Sequence, residues 1–253
     1  MIWGMKDNQR IKASPKDKSY CELCNGELIA KCGEIKVWHW AHKSNIDCDE
    51  WYEPESEWHI NWKNEFPKEW QERIIKKTLE KRIYTHTGIG ADTKIYLEND
   101  EGNIRHRADI RTSCGKVIEF QSSNLSSKQI SEREQFYDNM IWILNGFKIA
   151  SGLKIRKQKD NILTFRWKHP PKSWWKATKP IYVDINFLPI EGIQLLNFVD
   201  FSPEQKRFWE TFQNKVFLIK KIYPNIPCGG YGILIDRNSF LNEVKNGEKI
   251  NLL

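Results

Sequence analysis

The stretch from Ile104 to Leu144 constrains this chain more than any other. Ile104 to Thr112 and Lys116 to Gln121 are short, apolar-rich runs joined by the tight turn Ser113-Cys-Gly-Lys, and they read as a β-hairpin. Ser122-Ser-Asn-Leu-Ser-Ser then offers an N-cap for a helix from about Ser127 to Asp138. Met140-Ile-Trp-Ile-Leu is wholly apolar and suits a buried strand. The last strand-helix-strand step predicts a right-handed crossover. The hairpin brings Asp109 beside Glu119, and Glu119 and Gln121, two apart on one strand, share a face. Two convergent carboxylates make a hard-cation site of the kind that holds Mg²⁺ for phosphodiester cleavage.

Upstream, Pro54-Glu-Ser-Glu-Trp-His-Ile-Asn-Trp-Lys-Asn-Glu-Phe predicts a helix with Pro at its start, ended by Pro67. A second helix is expected over Glu69 to Lys81, where Trp70, Ile74, Ile75 and Leu79 fall at helical spacing. Thr93 to Glu98 reads as a strand, followed by a turn at Asn99-Asp-Glu-Gly-Asn. Beyond Gly146, strands are expected at Ile181–Ile185, Gln194–Val199 and Val216–Ile222, and helices at Pro203–Phe212 and Ser239–Lys245.

Composition narrows the setting. The chain carries a formal net charge of +7, which favours a polyanionic partner such as nucleic acid. Mean hydropathy is −0.66 and no apolar run reaches the length of a membrane span. The first residues lack the apolar core of a signal peptide, so a cytoplasmic, non-membrane protein is the expectation.

Four of the six cysteines fall within the first 48 residues, in a region poor in apolar side chains. Cys21-x₂-Cys24 is followed by His39-x₂-His42 and then Cys48, the layout of a structural Zn²⁺ site rather than of a disulfide framework. A metal staple would replace the core such a segment cannot build. Cys21, Cys24, His42 and Cys48 are the favoured ligands, with His39 in reserve and Cys32 open. Cys114 and Cys228 have no histidine at a telling spacing and read as structural.

For the acidic site, Asp109 and Glu119 would bind the cation through carboxylate oxygens. Gln121 is neutral and cannot act as a base, so its reading is to orient the attacking water or touch the phosphate. Glu55, His59 and Lys63 are spaced i, i+4, i+8 on the predicted helix and would share a face. Glu55 would approach the metal through water, His59 would carry a proton, and Lys63 would supply the positive charge that Gln121 does not.

Taken together, Cys21-x-x-Cys, His39-Trp-Ala-His, Pro54-Glu-Ser-x-x-His59-x-x-x-Lys63, Arg107-Ala-Asp109 and Ile118-Glu-Phe-Gln-Ser-Ser resemble the competence protein CoiA family, over about Cys21 to Leu144. A weaker echo follows in Trp167-Lys-His-Pro-Pro-Lys, Pro180-Ile-Tyr-Val-Asp and Gly230-Tyr-Gly. The resemblance implies a zinc-finger-like N-terminus joined to a restriction-endonuclease-like (PD-(D/E)xK) nuclease. It implies metal-dependent DNA cleavage or processing, with a role in handling incoming DNA during competence and recombination. It maps the metal-binding acids to Asp109 and Glu119, places Gln121 where the superfamily usually has lysine, and sets the first-helix acid at Glu55, with Glu57 as runner-up. It also covers Arg133 and Tyr137, at i and i+4 on the following helix, as phosphate contacts or supports of the site.

Residues 154–179 hold nine Lys/Arg and one acid, a net +8, with Trp167, Trp174 and Trp175 among them. Lys168, Lys172 and Lys176 are the candidate phosphate contacts, and the indoles either stack on unpaired bases or tuck into the core.

The expectation is therefore a mixed α/β chain in three parts: a zinc-finger-like segment over 1–53, a restriction-endonuclease-like core over 54–150 and a basic, aromatic C-terminal extension over 151–253. The function expected is Mg²⁺- or Mn²⁺-dependent cleavage of DNA, in uptake, recombination or defence against foreign DNA. The alternatives are a catalytically weak or inactive nuclease-fold accessory that binds DNA, kept open by Gln121, and a zinc-based protein-interaction module. Recombination proteins and a second copy of the chain stand as open partners.

Overall fold

The computed structural model describes residues 1–34, 36–44, 48–84, 95–149, 153–157, 162–185, 214–224 and 228–247. The architecture is mixed α/β, mostly sheet with few helices. The chain divides into two compact units, Met1–Ser56 with Glu72–Ala108, and Glu57–Gln71 with Asp109–Leu253. The units do not follow a single break in sequence, because Glu72–Ala108 returns to the first, and the 151–253 segment contributes strands to the sheet of the second.

In the first unit, β1 (Trp3–Lys6), β2 (Gln9–Lys12), β3 (Lys18–Tyr20), β4 (Glu27–Lys31) and β5 (His39–His42) form an antiparallel sheet in the order β2-β1-β3-β4-β5. Asp7 and Asn8 join the first hairpin at φ 50° and 60°, the left-handed pair that a two-residue type I′ turn requires and that Asp and Asn tolerate. The buried cluster is small: Met1, Ala13, Cys21, Leu23, Leu28 and Trp40. Buried Glu72 ties the N-terminus down, accepting from the Ile2 and Trp3 main-chain N–H groups at 2.8 and 3.1 Å.

The second sheet runs β10 (Leu153–Lys157), β11 (Ile162–Trp167), β14 (Gly229–Asp236), β13 (Lys215–Tyr223), β12 (Ile181–Asp184), β9 (Met140–Asn145), β8 (Val117–Gln121), β7 (Ile95–Arg111), β6 (Gln71–Tyr84). β8 and β9 are parallel and joined through helix α2 (Ser127–Tyr137), the predicted crossover. Ser126 and Gln129 close a capping box at the start of α2, each bonding the other's backbone. One face of this sheet packs α1 (Glu57–Asn64) and α4 (Arg237–Asn246), through Trp58, Trp62, Phe240, Leu241 and Val244 against Ile110, Ile118, Phe120, Ile143 and Leu218. The other face carries α2 and the 3₁₀ turn Lys172–Lys176. Short α3 (Gly146–Ile149) follows β9. No helix among the described residues is long and apolar enough to cross a membrane.

Three local expectations are corrected. The helix expected over Glu69 to Lys81 is instead strand β6. Its spacing of Ile74, Ile75 and Leu79 also fits a strand, and its place at the end of the sheet order suits so charged a run. The turn expected at Asn99–Asn103 lies inside β7, where long-range pairing overrides local turn preference. The helix expected from Pro54 begins at Glu57, directly after Ser56, a residue of N-cap type, so Glu55 precedes it. The strand expected at Gln194–Val199 and the helix at Pro203–Phe212 lie outside the described residues, as does Thr93.

Candidate functional site

In the first unit the knuckle Cys21–Cys24, His42 at the end of β5 and Cys48 converge, their ligating atoms all within 4.8 Å of one another. Cys21 Sγ lies 3.6 Å from Cys48 Sγ and Cys24 Sγ lies 3.4 Å from His42 Nε2. Tetrahedral zinc with Zn–S bonds of about 2.3 Å sets its sulfurs roughly 3.8 Å apart, so this soft donor set fits Zn²⁺. Main-chain N–H groups of Leu23 and Gly26 already point at the Cys21 and Cys24 sulfurs, both at 3.4 Å. His39 turns away, its Nδ1 2.8 Å from the Val37 carbonyl oxygen, and Cys32 packs against the small core.

Burial pushes the Cys21 thiol up, but the charge of Arg107 and the N–H groups of Cys24 and Leu23 outweigh it and hold the thiol at about 6. The guanidinium lies 3.2 Å from Cys21 Sγ. Cys48 moves the other way, raised by its own burial and then by the neighbouring Cys21 charge. Of the two, Cys21 is the thiolate. The loop after Cys48 is fixed by buried Asp49, which accepts from His106 Nδ1 at 2.9 Å and from the Arg107 and Trp51 main-chain N–H groups at 2.7 and 3.0 Å. The Trp51 ring stacks on His106 at 3.3 Å.

In the second unit, β7 and β8 pair at Ile110↔Ile118 and Arg111↔Val117, and next to these pairs side chains bond the facing backbone. Asp109 Oδ2 accepts from the Phe120 N–H at 2.9 Å, and Glu119 Oε1 accepts from the Asp109 N–H at 3.2 Å. The other oxygen of each carboxylate faces a cation. Lys63 Nζ is 2.9 Å from Asp109 Oδ1, and an Arg133 guanidinium nitrogen is 3.3 Å from Glu119 Oε2. Lys63, Glu119 and Arg133 are buried, while the Asp109 side chain keeps 21% exposure, the most open point of the group.

Gln121 is 1% exposed; its Nε2 donates to Ser123 and its Oε1 lies 3.5 Å from Arg133. His59 Nε2 is 3.2 Å from the Phe120 carbonyl oxygen. Glu55 belongs to the first unit, 3.7 Å from the Met1 ammonium. Tyr137 is buried beside Phe136 on α2. Lys168, Lys172 and Lys176 are exposed, whereas Trp167 and Trp174 are core side chains and only Trp175 of the three indoles is half-buried.

Sequence reasoning missed Asp184 and the roles of Arg107, Asp49 and His106. Asp184 Oδ2 accepts both the Trp58 and Trp62 indole N–H groups, at 2.8 and 2.7 Å, and so seats α1, the helix that carries His59 and Lys63. The one available signal was an acid closing the apolar run Ile181-Tyr-Val, the pattern that marks Glu119 after Val117-Ile.

These features define a protein with a Cys₃His cluster that fits a metal ion in one unit and a carboxylate pair beside a strand pairing in the other. The model for the competence protein CoiA N-terminal domain matches residues 3–50, and that for the CoiA nuclease-like domain matches residues 81–175. A curated relative, competence protein CoiA of Bacillus subtilis (strain 168), is 39% identical over 64 residues. That alignment covers 25% of this chain and 16% of the relative's length. No solved structure matches the chain. The chain belongs to the competence protein CoiA family.

Proposed function

We propose that this protein is a metal-dependent nuclease that cleaves or processes DNA phosphodiester bonds, in DNA uptake and recombination or in defence against foreign DNA. The observation that carries the reading is the reciprocal Asp109–Glu119 arrangement beside the Ile110–Ile118 pair of β7 and β8, inside the segment matched by a nuclease-like domain. The relative's name, competence protein, supports the setting.

The carboxylate oxygens are hard donors that suit Mg²⁺ or Mn²⁺. The cationic groups already on Asp109 and Glu119 mark the place where positive charge is held. Bound there, the ion would supply Lewis-acid activation of water and of the phosphate. Lys63, released from Asp109 Oδ1, would face the developing charge on the phosphate. Arg133 would position Glu119 and Gln121, which it already bridges. His59, whose Nε2 lies 3.2 Å from the Phe120 carbonyl oxygen, is the imidazole that would carry a proton. The Cys₃His cluster would hold a structural Zn²⁺ with no part in the chemistry.

A second reading is favoured by the same ion pairs and by Gln121: a nuclease-fold accessory that binds DNA without cutting it, its acids neutralised by Lys63 and Arg133. A cleavage screen on linear, circular, single-stranded and branched DNA with Mg²⁺ and Mn²⁺ separates them. A nuclease loses cleavage in Glu119→Ala while retaining DNA binding. No cleavage of any form by the wild type establishes the accessory.

A further inference from the structure

A cleft of about 350 Å³ opens between the 3₁₀ turn Lys172–Lys176 and strands β12 and β13. That is enough room for one nucleotide-sized group. Its lining includes Trp174, Trp175, Ile181, Ile219, Lys220 and Lys221. Trp174 is 1% exposed and Trp175 half-buried, and the indole N–H of each is shielded from water without a hydrogen-bond partner. Lys220 and Lys221 are exposed at the cleft, and no ion pair joins either to an acid among the described residues. Aromatic surface in the cleft, with the Lys220 ammonium and that of Lys221, 5.3 Å from the Tyr223 ring centroid, at its edge, suits a base that carries its own phosphate.

The cleft is also in line with the acidic site. Glu119 pairs with Trp142, Trp142 with Ile181, and Ile181 with Ile219, one row across four strands of a single unit. Residues paired in this way turn their side chains to the same face, and the Trp142 ring meets Trp174 edge-on at 5.1 Å. At about 4.8 Å per strand, Ile181 and Ile219 stand roughly 10 and 14 Å from Glu119.

We infer that this cleft binds an unpaired nucleobase of a single-stranded nucleic acid while the acids act further along the same strand. The inference rests on the nuclease reading and gives it a substrate class. In a duplex the base faces are stacked and the pairing edge is taken, so only a single strand offers the base.

The test uses the full, zinc-loaded chain with no Mg²⁺ or Mn²⁺ added, so that binding is read apart from cleavage. The probes are a fluorescein-labelled oligo(dT) of about eight nucleotides, a hairpin duplex of equal length and thymidine monophosphate. The oligonucleotide should bind at least about tenfold tighter than the duplex and quench tryptophan fluorescence. Lys220→Glu with Lys221→Glu, both at exposed positions, should weaken it about tenfold. Trp175→Ala should do the same, with Trp175→Phe, which keeps a smaller ring, in between. Duplex bound as tightly as single strand, mononucleotide bound as tightly as the oligonucleotide, or affinity unmoved by both sets of changes would each overturn the inference. Binding as expected with no cleavage of any DNA would instead remove the nuclease reading alone, and cleavage without such binding would remove the cleft alone.

Discussion

At the scale of single residues, Lys63 shows how tightly this site is balanced. Its side chain is 2% exposed, and burying an ammonium is costly unless a counter-charge is held against it. Asp109 is that counter-charge, so Asp109→Ala removes a candidate metal ligand and also exposes the cost of the buried lysine. Unfolding of Asp109→Ala in denaturant should show a loss of about 3 kcal/mol. Adding Lys63→Met should restore most of it, because the buried charge goes with the lysine. If the double variant is as unstable as the sum of the two single ones, the pair does not exist in solution. Gln121 has a related logic. Its amide oxygen faces Arg133, where a lysine would set ammonium against guanidinium. Cations reach the two acids from two helices, Lys63 on α1 at Asp109 and Arg133 on α2 at Glu119.

At the scale of elements, what the sequence made legible was what neighbouring residues decide. Helix α2 was readable because Ser126 and Gln129 cap it from within, and the approach of Asp109 to Glu119 was readable because the Ser113–Lys116 turn fixes the register. Strand β6 was not, since its apolar spacing serves a helix equally well and only a distant pairing decides. Asp184 was not, since its partners Trp58 and Trp62 are 126 and 122 residues away. Arg107, 86 residues from Cys21, was hidden in the same way. Helix α4 offers a local element whose energetics can be checked. Asp236 caps it by accepting from the Asn238 and Ser239 N–H groups at 3.0 and 3.1 Å, and Gly247 ends it at φ 72°. The Ser239 N–H, then Lys215, hold the Asp236 carboxyl below its ordinary 3.8. The folded-state value is the lower one, so the cap's contribution is complete at neutral pH and fades as pH falls below the unfolded value and through the folded one. Asp236→Ala should therefore cost about 1 kcal/mol at pH 7, shrinking towards nothing in acid, as unfolding curves across pH 2 to 7 would read. A cost that stays constant with pH would mean that the charge plays no part in the cap.

At the scale of the whole molecule, the two units are held by different means. The second has an aromatic core between a sheet and two helices, built on Trp58, Trp62, Phe120, Tyr182 and Phe240. Among the described residues, the first buries a small cluster and brings three cysteines and a histidine to one point beside it. A unit with so little apolar burial depends on its cross-link, and metal binding then becomes folding free energy. The purified protein should carry about one zinc per chain by elemental analysis. Cys24→Ser is the sharpest way to remove it, because Cys24 is exposed and its loss leaves no cavity. In that variant, or after chelation, hydrogen exchange should lose protection through β1 to β5, including Leu28 and Trp40. Protection at Ile118, Ile143 and Phe217 in the second unit should remain. Loss of protection in both sets together would mean that the units fold as one and that zinc supports the entire chain. Protection retained in both would mean that the first unit stands without metal and that the Cys₃His cluster serves a purpose other than structure.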